Sequence, residues 1–190
     1  MPIHDPEDGA SPSTQPEKTQ GTRGLKKSPS HLGWRVFFGI SGIVIILDQI
    51  TKLAVLKTIP LHHAISVIPG FFNLTHIHNP GGAFGFMADG SEMIRTLLFI
   101  GVTLFAMAVM IYFYRSTPKR YPWLASALAM VFGGAAGNFI DRVHLGEVVD
   151  FLDVYIGPYH WPAFNIADSA ITIGLAIFII HVLLKKIPEL

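Results

Sequence analysis

Residues 34–56 read WRVFFGISGIVIILDQITKLAVL, with few polar side chains. This length approaches the roughly 20 apolar residues that a helix needs to cross the hydrocarbon core of a membrane. Three further apolar stretches follow at about 93–114, 123–140 and 164–184. The sequence therefore predicts a membrane protein of the all-α class, built as a bundle of four transmembrane helices.

The composition agrees with this class. Only 14% of the 190 residues are charged and 51% are hydrophobic, whereas soluble domains carry about 25% charged residues. The formal net charge is +1, which gives no reason to expect a nucleic-acid partner. The absence of cysteine excludes disulfides, thiolate metal sites and a cysteine nucleophile.

The first 33 residues differ from the rest of the chain. They are rich in Pro, Ser, Thr and Gly with charges of both signs, and they contain too few apolar side chains to offset the entropy of ordering. We expect residues 1–33 to be a disordered cytoplasmic tail. Residues 34–190 form one transmembrane domain in this interpretation.

Basic residues predict the orientation of the four spans. They precede the first span, fill the link between the second and third, and follow the fourth, so that four crossings place them all on one side. They are Lys26, Lys27, Arg35, Arg115, Lys119, Arg120, Lys185 and Lys186. The positive-inside rule makes that side cytoplasmic, so that both termini lie inside and segments 57–92 and 141–163 lie outside.

The outer segments contain signs of extended structure and of turns. Residues 71–77 have strand-like composition between Pro69-Gly70 and Pro80-Gly81, which predicts a small extracytoplasmic β-sheet. The second outer segment contains turn dipeptides at 157–158 and 161–162. It also carries three aromatic residues suited to a membrane interface, Tyr155, Tyr159 and Trp161.

Polar residues of the predicted spans converge on the outer leaflet. A carboxylate at the centre of a span costs roughly 2.5–3.5 kcal/mol, and ionisable residues within membranes are functional candidates by default. The converging residues are Asp48, Lys52, Asn138, Asp141, Arg142, Asp150, Asn165 and Asp168. Their common depth indicates that they face one another or a hydrated cavity.

Asp150 and Asp168 form the most informative pair. The turns between them let the chain leave the membrane and return, with both acids at its outer boundary. Two neighbouring carboxyls cannot easily both ionise, so that one keeps a proton. Aspartyl peptide hydrolysis needs this state, because one carboxylate activates water while the other acid polarises the scissile carbonyl.

Simpler roles for the same acids stay open at this point. Asn165 followed by Asp168 resembles a helix cap, and Asp150 and Asp153 could be exposed loop acids. Asp48 and Lys52 have the i,i+4 spacing of an intrahelical ion pair.

Other polar and glycine-rich patterns have structural explanations of their own. Asp141 and Arg142 are adjacent and are expected to pair with other spans, and the glycines of 133–137 predict close helix packing. A hydrolase using Ser169 and Lys52 is a weaker alternative.

Four histidines, His62, His63, His76 and His78, lie in the first outer segment. His76 and His78 are two residues apart, so that they share one face of a strand. Zinc sites usually take three or four convergent ligands, and no motif in the sequence supplies them. We therefore expect no metal site.

Five sequence blocks, in order, resemble the lipoprotein signal peptidase family, also called signal peptidase II. Each block is short, but the resemblance that they carry spans essentially residues 34–186. They are DQITK at 48–52, NPGGAF at 79–84, GNFIDR at 137–142, VVDF at 148–151 and FNIADS at 164–169. NPGGAF departs from the family's Asn-x-Gly-Ala-Ala-Phe through Gly82, which is expected to loosen the loop, and the polar tail is longer than usual.

The resemblance implies a periplasmic β-cradle, a short amphipathic periplasmic helix and a site near the outer leaflet of the bacterial inner membrane. It implies an aspartyl endopeptidase that removes the signal peptide of diacylglyceryl-prolipoproteins, cleaving before the lipid-modified cysteine. The family's catalytic aspartates match Asp150 and Asp168. Its substrate-binding and supporting residues match Asp48, Lys52, Asn79, Asn138, Asp141, Arg142 and Asn165.

The expected partners are prolipoproteins, membrane lipid and the inhibitor globomycin, and the enzyme is expected to act as a monomer. No cofactor is expected, since water is the nucleophile. Two other functions compete on the residues alone: a proton-coupled carrier, in which the acids relay protons, and a structural membrane scaffold, in which they serve only as caps and ion pairs.

Overall fold

The computed structural model describes residues 33–81 and 91–184, apart from the side chain of Glu92. Within these ranges the chain forms four helices: α1 (Trp34–Thr58), α2 (Glu92–Ser116), α3 (Pro122–Leu145) and α4 (Ile166–Leu183). Each is long and apolar enough to cross a membrane, which confirms the predicted fold class. The predictions for residues 1–32, for Gly82 and for Lys185 and Lys186 lie outside the described residues.

Helix α3 is the centre of the bundle and packs against α1, α2 and α4. In the most apolar 18-residue stretch of α3, 61% of the residues are buried, whereas in the corresponding stretch of α2 none are. Its sequence explains this position, because small residues let neighbouring backbones approach closely. A side chain added at Gly133 would meet the backbone of Ser41 on α1, and one at Gly134 would meet the backbone of Ala167 on α4. The predicted close packing is confirmed.

Two helix ends differ from the predicted spans. Helix α3 continues past residue 140 to Leu145, where Gly146 takes a left-handed conformation at φ 76° and ends it. This adds more than a turn and carries Asp141 and Arg142 on a regular helix. Helix α4 begins at Ile166 instead of 164, because Asn165 caps it and Phe164 pairs with Leu152 of the sheet.

The described residues also form one antiparallel sheet with strand order β1-β2-β3-β4. The strands are β1 (Ala64–Ile68), β2 (Phe72–Asn79), β3 (Val148–Ile156) and β4 (Tyr159–His160). The predicted strand at 71–77 corresponds to β2, and the predicted turn at 157–158 joins β3 to β4. The short amphipathic helix that the resemblance implies is not found within the described ranges.

Strand β3 was missed from the sequence, although its β-branched and aromatic residues are typical of strands. It pairs with β2 along most of its length and brings Val148 opposite Asn79. Val149 and Phe151 pack with Val55 and Ile59 from the end of α1. This small core attaches the sheet to the bundle. It also fixes the position of Asp150, which lies between Val149 and Phe151 on β3.

Candidate active site

Asp150 lies on β3 and is 3% exposed. Its Oδ2 accepts a hydrogen bond from Asn79 Nδ2 at 3.0 Å, and its Oδ1 accepts one from Asn165 Nδ2 at 2.8 Å. Asn79 is itself oriented by the backbone N–H of Gly81, which donates to its Oδ1. The exposed-loop alternative for Asp150 is therefore wrong, and it is wrong for Asp153 as well, which is 9% exposed.

Asp168 lies in the first turn of α4. Its backbone N–H donates to Asn165 Oδ1, and its own Oδ2 accepts from the backbone N–H of Asn165, which completes a capping box. Its other oxygen, Oδ1, accepts from Asn138 Nδ2 of α3 at 2.8 Å. The helix cap inferred from the sequence is thus present, and Asp168 also has a contact with a different helix.

Asn165 connects the two acids, because its side chain donates to Asp150 and accepts from the backbone of Asp168. It is fully buried, and its amide nitrogen also contacts Val149 O and Asn138 Oδ1 at 3.2 Å each. The cap residue of α4 therefore holds the end of that helix against β3. This contact brings the two carboxyl groups predicted from the sequence into one site.

The two acids lie on the wall of a cavity of about 630 Å³. Apart from Asp150, Asp168 and Asn79, its lining is mostly apolar and comes from the β4–α4 segment and one side of α4. These residues are Trp161, Ala163, Phe164, Ser169, Ile171, Thr172 and Ile173. A cavity of this kind can hold an apolar chain with a polar bond next to the acids.

Burial raises the pKa of Asp150 from 3.8 to about 7, and the neighbouring charge of Asp168 adds to this effect. Hydrogen bonds from Asn79 and Asn165, together with the charge of Lys52, act in the opposite direction but are weaker. Among the described residues, no lysine or arginine makes an ion pair with either acid. The pair therefore favours a state that holds one proton near neutral pH.

A second cluster of polar residues lies behind the site, and Lys52 is at its centre. The Lys52 ammonium, 2% exposed, contacts Asp48 and Asp141 at 2.8 Å each and Asn138 Oδ1 at 2.9 Å. Three acceptors satisfy all three donors of the ammonium group. The predicted Asp48–Lys52 pair is confirmed, and Asp141 pairs with another span as predicted.

This second cluster supports the backbone beside each acid of the site. Asp141 Oδ2 accepts from the N–H of Val149, the residue before Asp150. Asp48 Oδ1 accepts from the N–H of Ala167, the residue before Asp168. Both contacts use carboxylates that Lys52 keeps in place, so that the ion cluster fixes β3 and α4 relative to each other.

Gln49 is a further member that sequence reasoning missed. Its side-chain amide donates to Asp141 Oδ1 at 2.9 Å and to the carbonyl of Gly137 at 3.2 Å. Its place within DQITK was the available sign, but only the packing of α1 on α3 supplies its partners. Arg142 borders the clusters: its Nη1 donates to the carbonyl of Asn138 at 3.4 Å, and its guanidinium lies 5.0 Å from the centre of the Phe99 ring on α2.

The remaining candidates have local partners. Ser169 donates its hydroxyl to the carbonyl of Asn165, which does not favour a serine–lysine hydrolase, since Lys52 is fully engaged elsewhere. His76 and His78 share a face of β2 as predicted, with their Nε2 atoms 3.1 Å apart. Within residues 33–81 and 91–184, no three side chains of the metal-binding types converge.

Comparison with known proteins relates this arrangement to one family. The sequence profile described as Signal peptidase (SPase) II matches residues 40–184. A lipoprotein signal peptidase of Desulforapulum autotrophicum is 52% identical over 151 residues, covering 80% of this chain and 93% of that protein. The corresponding protein of Syntrophus aciditrophicus is 46% identical, with 80% and 94% covered.

Solved structures share the fold. A bacterial membrane enzyme structure determined by the in meso method at 2.3 Å superimposes with a TM-score of 0.74 and 35% identity, covering 84% of this chain and 94% of that one. A second bacterial membrane enzyme structure, determined by the same method at 1.9 Å, superimposes with a TM-score of 0.72 and 35% identity. The chain is thus a multi-pass membrane protein, and it belongs to the signal peptidase II family of proteases, which remove signal peptides from prolipoproteins.

Proposed function

We propose that this protease is an aspartyl endopeptidase whose catalytic residues are Asp150 and Asp168. The main observation in support is that one buried side chain, Asn165, contacts both acids where they border a largely apolar cavity. Asp150, with a pKa of about 7, supplies a carboxyl group that can hold a proton at physiological pH. Among the described residues, no lysine or arginine forms an ion pair with either acid, which leaves the proton free to move during the reaction.

The chemistry follows from a pair that shares one proton. The ionised carboxylate takes a proton from water, and the water oxygen forms a bond to the scissile carbonyl carbon. The protonated acid donates to the carbonyl oxygen, which gives a neutral tetrahedral intermediate. When the C–N bond breaks, one acid gives its proton to the leaving nitrogen while the other carboxylate takes a proton from a hydroxyl of the intermediate, so that the C=O bond re-forms and the pair again holds one proton. This route uses no cofactor.

The other predicted residues have distinct supporting roles in this proposal. Asn79, Asn138 and Asn165 orient the two carboxyl groups through direct hydrogen bonds. Asp48, Lys52 and Asp141 hold the backbone on which the acids are carried. Arg142 lies at the same end of α3 and would contact the polar part of the substrate or lipid.

The substrate is proposed to be a diacylglyceryl-prolipoprotein, cut before its lipid-modified cysteine. A substrate whose acylated cysteine lies at the outer end of a membrane helix matches acids located where α3 and α4 meet the sheet. The apolar wall formed by Ile171 and Ile173 would accept apolar parts of that substrate. Globomycin is the expected inhibitor at this cavity, in competition with the substrate.

The location of the site follows from the orientation of the helices. The basic link between α2 and α3, with Arg115, Lys119 and Arg120, places that end in the cytoplasm. The acids then lie near the outer leaflet of the bacterial inner membrane, with both termini cytoplasmic. The enzyme is proposed to act as a monomer.

The proposal is tested by cleavage of a diacylglyceryl-prolipopeptide with purified protein in detergent. Asp150→Asn and Asp168→Asn should each lower kcat at least about 1,000-fold, since either change removes one partner of the acid–base pair. Wild-type protein should cut on the N-terminal side of the lipidated cysteine, as read by mass spectrometry. Globomycin should abolish this cleavage.

Asp153→Asn is the matched control, because Asp153 lies on the same strand and contacts Asn73 and His160 instead of the cavity. It should keep activity within a few-fold of wild type. Thermal unfolding of all variants separates lost chemistry from lost folding. If a well-folded Asp150→Asn or Asp168→Asn variant retains near-normal activity, that aspartate is not catalytic.

A further inference from the structure

His76 and His78 form a compact unit that the proposed proteolysis does not use. Their Nε2 atoms face each other at 3.1 Å on one face of β2. His76 is 6% exposed and lies against the end of α1, while the side chain of His78 is 27% exposed. The unit is therefore buried at one side and open to solvent at the other.

The outer ring nitrogens fix the tautomer of both histidines. His76 Nδ1 lies 2.7 Å from the carbonyl oxygen of Ile59, and His78 Nδ1 lies 3.2 Å from Glu147 Oε2. Both of these oxygens are acceptors, so that each Nδ1 must carry the hydrogen and donate it. In two neutral imidazoles, both Nε2 atoms then carry lone pairs only 3.1 Å apart, and a cation bound to both removes their repulsion.

We propose that His76 and His78 form a two-histidine site for a first-row transition-metal ion such as Zn²⁺ or Cu²⁺. Metal–nitrogen bonds of about 2.0–2.1 Å span a 3.1 Å separation at an angle of about 100°, which lies between octahedral and tetrahedral values. Imidazole nitrogen is a preferred ligand for both ions.

The partners of the outer nitrogens are those expected around a metal site. Histidine ligands usually donate their second N–H to a carboxylate or a backbone carbonyl, which orients the ring and raises its basicity. Glu147 supplies the carboxylate here and Ile59 the carbonyl. Solvent on the exposed side of His78 provides the remaining ligands. A site with two protein ligands binds its ion reversibly and responds to the available metal concentration.

The test measures Zn²⁺ binding by calorimetry on the full chain in detergent, purified with a tag that contains no histidine. One saturable site is expected, and His78→Gln should weaken its affinity at least tenfold. Glu147→Ala should weaken it about 10- to 100-fold, as changes behind metal ligands typically do. The matched control is His160→Gln, which removes an imidazole paired with Asp153 and should leave affinity within twofold.

Electron paramagnetic resonance of bound Cu²⁺ gives an independent reading, with two equatorial nitrogens in wild type and one in His78→Gln. Unfolding measurements establish that each variant is folded. If folded wild type shows no saturable binding at millimolar Zn²⁺, the proposal fails. It fails equally if His78→Gln binds as tightly as wild type.

Discussion

Two pairs of aspartates occupy neighbouring parts of this protein, and their charges are handled in opposite ways. Asp48 and Asp141 share the ammonium of Lys52 at 2.8 Å each. Asp150 and Asp168 have asparagine amides as side-chain partners. The first pair is compensated by a cation that cannot leave, whereas the second depends on a proton that can. A fixed charge suits support, and a mobile proton suits catalysis.

The two pairs are also connected through the backbone. Asp141 contacts the N–H just before Asp150, and Asp48 contacts the N–H just before Asp168. Asp48 and Asp141 therefore hold the backbone beside Asp150 and Asp168 without contacting their carboxyl groups. Variants that affect stability and variants that affect the proton should accordingly separate between the two regions.

The largest effect on stability is expected from Lys52→Met. Removing this cation leaves two buried carboxylates without a countercharge, which typically costs about 3–5 kcal/mol. The free energy of unfolding, from denaturant titration in detergent, should fall by that amount. Lys57→Met is the control, since Lys57 is exposed at the end of the same helix and should change stability by under about 0.5 kcal/mol. Unchanged stability in Lys52→Met would contradict the role of Lys52 as the charge that compensates these two acids.

The second effect concerns pH and belongs to the proposed catalytic pair, Asp150 and Asp168. The folded pKa of Asp150 is about 7, above its ordinary 3.8, so that between these values the folded state binds the additional proton. Stability should therefore fall as pH rises from about 4 to about 7, by up to about 1.4 kcal/mol per pH unit, and then level off.

Subtracting the unfolding curve of Asp150→Asn from that of wild type isolates this contribution, because the amide does not titrate. Activity of the wild type should also decline as pH rises through about 7, when the pair loses its proton. Parallel wild-type and Asp150→Asn stability curves across this range would contradict the raised pKa.

The smallest effect concerns the approach of α3 to α1. A methyl group at Gly137 would lie 2.6 Å from Asp48 Oδ2, so that Gly137→Ala should displace the supporting carboxylate and cost about 1–3 kcal/mol. Gly42→Ala on α1 meets nothing within 4 Å and should stabilise the helix by about 0.5–1 kcal/mol. Thermal unfolding of both variants is the measurement. Equal shifts would show that the contact at Gly137 is not tight.

Much of this architecture is predictable from sequence, since the lengths of the apolar stretches require spans and the turn dipeptides mark their ends. The candidate residues were also identifiable, because polar groups in apolar segments are costly and are kept for a purpose. Strand β3 was less visible, since a short apolar run beside a span resembles the span itself. The extra turn of α3 was missed because its polar residues suggested that the helix had already ended.

The arrangement of partners depends on three-dimensional packing. No local sequence pattern indicates that Lys52 pairs with Asp141 and not with Asp150, or that the Gln49 side chain of α1 contacts α3. These contacts join residues about 90 positions apart. The close approach of helices at glycines such as Gly137, and the attachment of β3 to α1, set those distances. The sequence supplies the acids, the lysine and the apolar spans that place these charges in a membrane, where they are costly. The packing then determines which acids receive the lysine and which must share a proton.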